Sequence, residues 1–218
     1  MLNFHRYAGL SVIATAATVV AVVTCMAMSA RAETIIDEWS SVKMPPAPQL
    51  KPAKIDPKTT AFLSLDLVKG TCNNERRPRC LQTIPVVAKL LDEARAKGVA
   101  VVHSLPSSAT PEDFVSQVAP KSGEPIVKAS VDKFLNTDLD KILKEKGIKT
   151  VIIVGTTAEG AVLFTATEAA VRGYNVVVPV EGSTAASTYA ESAVAWMIAN
   201  APGISQKATL TKADMITY

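Results

Sequence analysis

The stretch VIIVGTTAEGAV, residues 151–162, reads as a buried strand that runs into a helix. Val151 to Val154 are an unbroken apolar, β-branched run, the pattern of a strand covered on both faces. Gly155 then opens a turn, and a helix is expected to begin near Glu159. Free backbone N–H groups at a helix N-terminus stabilise negative charge. The segment Thr156, Thr157, Glu159 and Gly160 is therefore a candidate oxyanion or substrate-binding turn, with Glu159 otherwise serving as a helix cap. The spacing is that of neither a dinucleotide loop nor a P-loop.

Similar apolar runs flank this one. TAFLSLD (60–66), VAVVHSL (99–105), PIVKA (125–129), NVVVPV (175–180) and ATLTKA (208–213) read as further strands. Amphipathic helices lie between most of them. In 84–97, Ile84, Val87, Leu90, Leu91 and Ala94 share a face, and Gly98 ends the helix in a left-handed turn. Thr137 and Asp140 are placed to cap the helix that Gly147 stops, and Gly173 stops the one after Glu159. Pro179 marks a strand that ends or lies near an edge. The fold class is α/β: three layers, with a doubly wound, mostly parallel six-stranded, Rossmann-like sheet.

Ligands of such sheets bind beyond the carboxyl ends of the strands. That rule selects Asp66, Lys128 and the turn after Val154. Asp66 ends an apolar strand, so partial desolvation raises its pKa and suits it to proton transfer; its alternative role is a cap or loop anchor. Lys128 is either a snorkelling surface lysine or a site lysine. A meeting with Asp66 would favour the charged form of both. No G-x-S-x-G is present, and His103 is the one histidine after residue 5, so a serine hydrolase triad has little support.

The first 32 residues stand apart. Arg6 precedes an apolar run from Ala8 to about Met28, and Ala30 and Ala32 have the spacing that a signal peptidase reads. Cleavage after Ala32 and export from a bacterial cell, to the periplasm or beyond, are expected; the alternatives are an uncleaved anchor and lipid attachment at Cys25. Removal of this segment leaves 21 basic against 20 acidic side chains. That balance is no footprint for nucleic acid or an anionic surface. The remaining cysteines, Cys72 and Cys80, lie in TCNNERRPRC, and in an oxidising compartment they read as a disulfide, with a free thiol at Cys72 as the alternative. Residues 33–58 hold five of the 13 prolines and read as an arm or linker, draped over the domain or reaching a second subunit. The domain itself is expected over 59–218.

In order along residues 59–214, these stretches resemble the isochorismatase-like, or cysteine hydrolase, superfamily. FLSLD is similar to its first strand, which ends in the catalytic aspartate. IVKASVDKFLNTDLDKILKEKGIKTVIIVG is similar to its central block, which opens with the catalytic lysine, and GTTAEGAVLFTATEAAVRGYNVVV to the segment that carries the nucleophile. The resemblance assigns Asp66 and Lys128 to catalysis. Most members have cysteine where this chain has Ala161, and alanine cannot attack a carbonyl. The branch that cleaves isochorismate also lacks the cysteine, which implies acid catalysis by the aspartate on a vinyl ether. The family's turn often holds a non-proline cis peptide, here between Thr156 and Thr157, aiming the N–H groups of Thr157 and Ala161 into the pocket. The Asp-x-His metal pattern of nicotinamidases is missing, so no metal and no cofactor are expected.

Two functions follow. One is an exported hydrolase that acts on a small carboxylate, amide or enol ether by Asp/Lys acid–base catalysis, without a covalent step. The other is a catalytically inactive small-molecule-binding protein on the same scaffold. Partners are a small molecule and, by analogy with the family, a second copy of the chain.

Overall fold

The computed structural model describes residues 34–218. The expected signal peptide, its cleavage site and Cys25 lie outside the described residues. The described residues fall into two units that divide between Met44 and Pro45. The described part of the first holds one single-turn helix, α1 (Ile35–Glu38).

The second unit is built on strands β1 (Ala53–Lys54), β2 (Thr60–Leu65), β3 (Ala100–Leu105), β4 (Ile126–Lys128), β5 (Thr150–Thr156), β6 (Asn175–Pro179), β7 (Ser183–Thr184), β8 (Ala208–Thr211) and β9 (Ile216–Thr217). The main sheet runs β4-β3-β2-β5-β6-β8, and β7 pairs with the end of β5. Every strand pair in it is parallel. All six strands read from the sequence are present. The seventh, β7, is two residues long and polar, so no apolar run announces it. Pro179 is the last residue of β6 and pairs with Thr211, at the end of an interior strand rather than at an edge.

The helices are α2 (Pro78–Ala96), α3 (Leu139–Glu145), α4 (Leu163–Val171) and α5 (Thr188–Asn200). Strand alternation assigns them to faces. Phe62, Ile152 and Val154 join Ile84, Val87, Leu90 and Leu91 of α2 in one cluster. Leu63, Leu65, Val151 and Ile153 join Leu139 and Leu143 of α3, Ala166 and Ala169 of α4, and Val194 and Ile198 of α5 in another. Each fully buried Val, Leu or Phe stabilises by roughly 1.5–3 kcal/mol. The sheet is therefore covered on both faces, and that is why its strands are apolar throughout rather than alternating. Gly98, Gly147 and Gly173 take φ of 76°, 66° and 97° after α2, α3 and α4, as their stop positions require. Asp140 makes no reciprocal cap: it binds Lys144 at 2.6 Å and accepts from Tyr174 at 2.9 Å.

Residues 45–58, read from the sequence as arm or linker, lie inside the second unit. Lys51 N donates to Leu210 O at 2.9 Å, Ile55 N donates to Thr217 O at 2.7 Å, and β1 pairs in parallel with β9. Ala53 and Ile55 are buried, so this stretch is anchored at those points.

Candidate active site

The strand order reverses between β2 and β5, because β2 leads through β3 to β4 on one side while β5 lies on the other. The crevice beyond such a switch point is where ligands of open parallel sheets bind. Leu65 pairs with Gly155 there, so Asp66 and Thr156 are the next residues of two adjacent strands. The strands approach closely. An added Cβ at Gly155 would stand 2.1 Å from Leu65 O, and Gly155 has φ of 143°, so only glycine fits.

Asp66 is 6% exposed and has φ of 54°. Asp tolerates this left-handed conformation better than most residues, at some cost in strain. Ser104, at the end of β3, donates from Oγ to Asp66 Oδ1 at 2.7 Å. Asp66 Oδ2 accepts from Lys133 Nζ at 2.7 Å. Lys133 is fully buried, and its ammonium also donates to Ala129 O at 3.3 Å and to Ser130 O, so all three N–H groups are used. Its backbone N–H donates to Thr165 Oγ1 of α4 at 3.2 Å, which ties the loop after β4 to the helix after the turn. Burial pushes the Asp66 carboxyl above its ordinary range, against Lys133, Ser104 and Arg77, which all pull it down.

The lysine beside the acid is therefore Lys133, not Lys128. Lys128 is the last residue of β4, an edge strand whose burial alternates exposed, buried, exposed. Its side chain shares the solvent side with Ile126. The strand-end rule picked the wrong lysine, and the period-two pattern of IVK on an edge strand was the warning. Lys133 lies in a loop with no local regularity, so only the fold reveals its role as a partner. Ser104 was also missed, although it is the penultimate residue of the apolar strand beside Asp66.

The turn after β5 holds a cis peptide between Thr156 and Thr157, at the position the resemblance implied. The chain then makes a π-helical turn, Ala158–Val162, before α4. Val162 N and Gly160 N donate to Thr157 O at 3.1 and 3.2 Å. Thr156 Oγ1 donates to Thr184 O at 3.2 Å, which turns that hydroxyl toward β7. Ala158, Gly160 and Ala161 are buried, Thr157 is half-buried and Glu159 is exposed. A Cβ at Gly160 would meet Thr157 Oγ1 at 2.7 Å, so a side chain there would have to displace that hydroxyl.

Beside Asp66, Thr71 Oγ1 donates to Asp66 O at 2.5 Å and to Val68 O at 3.0 Å. Cys72 and Cys80, the latter in the first turn of α2, form a disulfide, and both are buried in the cluster that α2 covers. No thiol remains at Cys72. Among the described residues, no group of three or more His, Cys, Asp or Glu side chains has the geometry of a metal site.

An α/β layered domain with an acid, an ammonium and a strand-to-helix turn at its switch point defines a class of fold rather than one activity. Comparison narrows it. The Isochorismatase domain family matches residues 60–209, and the chain belongs to that family. It is 33% identical over 105 residues to the secreted isochorismatase effector Isc1 of Verticillium dahliae, covering 43% of this chain and 55% of that one. It is 28% identical over 126 residues to the N-carbamoylsarcosine amidase of an Arthrobacter species, covering 45% and 48%. The chain thus spans about half the length of the curated relatives it matches. Among solved structures, the isochorismatase family protein of Desulfovibrio vulgaris superimposes with a TM-score of 0.66 at 21% identity, over 72% of this chain and 95% of that one. That likeness confirms the fold.

Proposed function

We propose that this protein is an exported hydrolase that uses Asp66 and Lys133 without a covalent nucleophile. One observation carries the reading: a buried carboxyl held by Ser104 and Lys133 at the switch point, in the strand adjoining the turn that carries Ala161. Burial shifts the Asp66 carboxyl upward, the direction that suits a carboxyl to proton donation. On an enol ether, Asp66 gives its proton to the vinyl carbon. Water adds to the resulting oxocarbenium carbon, and the hemiketal collapses to a carbonyl compound and an alcohol, returning a proton to Asp66. Lys133 steadies the carboxylate that exists between those two steps. The N–H groups of Thr157 and Ala161 are the donors assigned to a carboxylate of the substrate. Ala161 closes the thioester route and leaves room for substrate or water.

Export is supported by the disulfide, by the sequence of residues 1–32 and by the secreted relative. The deciding measurement is turnover by the purified protein on a panel of small carboxylates, amides and enol ethers, alongside Asp66→Asn. Activity in the parent and none in the variant is expected; equal traces in both would end the proposal.

Ala161 also favours a second reading, a binding protein without turnover. Recovery of unchanged ligand after incubation is its signature, and a chemically altered ligand would eliminate it.

A further inference from the structure

The segment ERRPRC (75–80) places three arginines in four positions, and they have different fates. Arg79 is locked to Glu191 by two hydrogen bonds, at 2.8 and 2.5 Å. Arg76 is exposed and reaches only Gly70 O, at 3.3 Å. Arg77 is half-buried at the N-terminal boundary of α2, and it makes no ion pair within 4.0 Å among the described residues. Its Nη1 donates to Thr71 O at 3.0 Å, and Thr71 in turn donates to Asp66 O. One backbone carbonyl therefore occupies a fork of five donors.

The position of Arg77 is fixed. Its backbone N–H donates to Asn73 O at 2.9 Å, and its carbonyl accepts from Cys80 N at 3.0 Å. The Cys72–Cys80 bridge closes the loop that contains it. Taking a guanidinium partly out of water without a carboxylate partner is costly, so such a group is usually satisfied by a ligand or by water. Arg77 lies close enough to the site for both Asp66 and Glu159 to act on its charge. Burial and the adjacent Arg76 lower its pKa, and those two acids oppose them.

We propose that Arg77 is a specificity residue that binds the carboxylate of a small organic acid, leaving the rest of that molecule toward Asp66. This deepens the hydrolase reading and rests on it for the identity of the site. A planar guanidinium with uncommitted N–H groups matches a carboxylate in a two-pronged geometry that a lysine cannot copy. The preferred substrates are then organic monocarboxylates rather than neutral amides. Protonated Asp66 does not repel such a ligand, whereas the ionised form does.

The test uses equilibrium binding, so that it is independent of turnover. Benzoate and its neutral counterpart benzamide are titrated calorimetrically into the full protein. The parent is expected to prefer benzoate by about tenfold or more. Arg77→Met should bind the two alike, and Arg77→Lys should recover part of the preference. Asp66→Asn should keep or increase it while losing any hydrolysis, so failure of the catalytic reading is scored separately. Circular dichroism establishes that each variant is folded. Equal binding of both probes by the parent, binding of neither at millimolar concentration, or an undiminished preference in folded Arg77→Met would each overturn the assignment.

Discussion

Lys133 Nζ lies 2.7 Å from Asp66 Oδ2, with the lysine fully buried and the carboxyl side chain 9% exposed. The two residues are 67 positions apart and come from different loops. Removing one partner of a buried pair strands the other's charge and typically costs about 3–5 kcal/mol. Lys133→Met should therefore lose about that much stability in urea at neutral pH. The loss should shrink in acid, where Asp66 neutralises itself. Lys128→Met, on the exposed edge of β4, should stay within about 0.5 kcal/mol of the parent. Equal effects of the two substitutions would refute the pairing.

Gly155 sets how closely β2 and β5 approach below the site. Its φ of 143° and the 2.1 Å gap from a built Cβ to Leu65 O leave no room for alanine. Strain and overpacking each cost about 1–3 kcal/mol, so Gly155→Ala should destabilise by roughly 2–6 kcal/mol or displace the turn that follows. Gly70→Ala is the control. Nothing lies within 4 Å of its Cβ position, and the change should fall within about 0.5 kcal/mol of zero. Chemical denaturation of the two variants side by side measures the difference.

The fold was legible because its strands are apolar on both faces and its helices carry one apolar stripe. Phe62 and Leu63 illustrate the rule: adjacent in sequence, they enter opposite cores. The place of Asp66 was legible for the same reason, as an acid that follows an apolar strand. Lys133 was not. It sits in an irregular loop, and what makes it a partner is a contact across 67 residues that no local period encodes. Arg77 was hidden differently. NERRPR reads from the sequence as a small basic cluster, a solvated loop or an anion site, and only tertiary contacts separate the arginine paired with Glu191 from the one bound to Thr71 O.

Glu124 joins three elements away from the site. Arg95 Nε and Nη2 each donate to it at 2.8 Å, Lys121 N donates at 2.8 Å, and His103 Nε2 lies 2.8 Å away. Burial by itself would raise its pKa, but Arg95, Lys121 N–H and His103 outweigh burial and bring it from 4.5 to about 2. A carboxyl depressed on folding contributes stability above its unfolded pKa and loses it as pH falls through the folded one. Glu124→Gln should thus be less stable than the parent at neutral pH, and the two should converge between pH 4.5 and about 2. Thermal unfolding across that range reads it directly. A constant gap down to the acid end would mean that Glu124 acts only through packing.

Asp66 has the opposite sign. Its folded pKa lies above 3.8, so folding favours the protonated form, and this group's contribution to stability declines as pH rises through the folded value. If Asp66 is the general acid, the active form is the protonated one. The rate constant kcat/KM should then be highest below the folded pKa and fall above it. Lys133 pulls this pKa down, so any activity left in Lys133→Met should carry that fall to higher pH. The assay is kcat/KM against pH for whichever compound of the panel turns over best. A rate that climbs with pH through the same range would make Asp66 a base that activates water, and the enol-ether chemistry would give way to hydrolysis of an amide by directly added water.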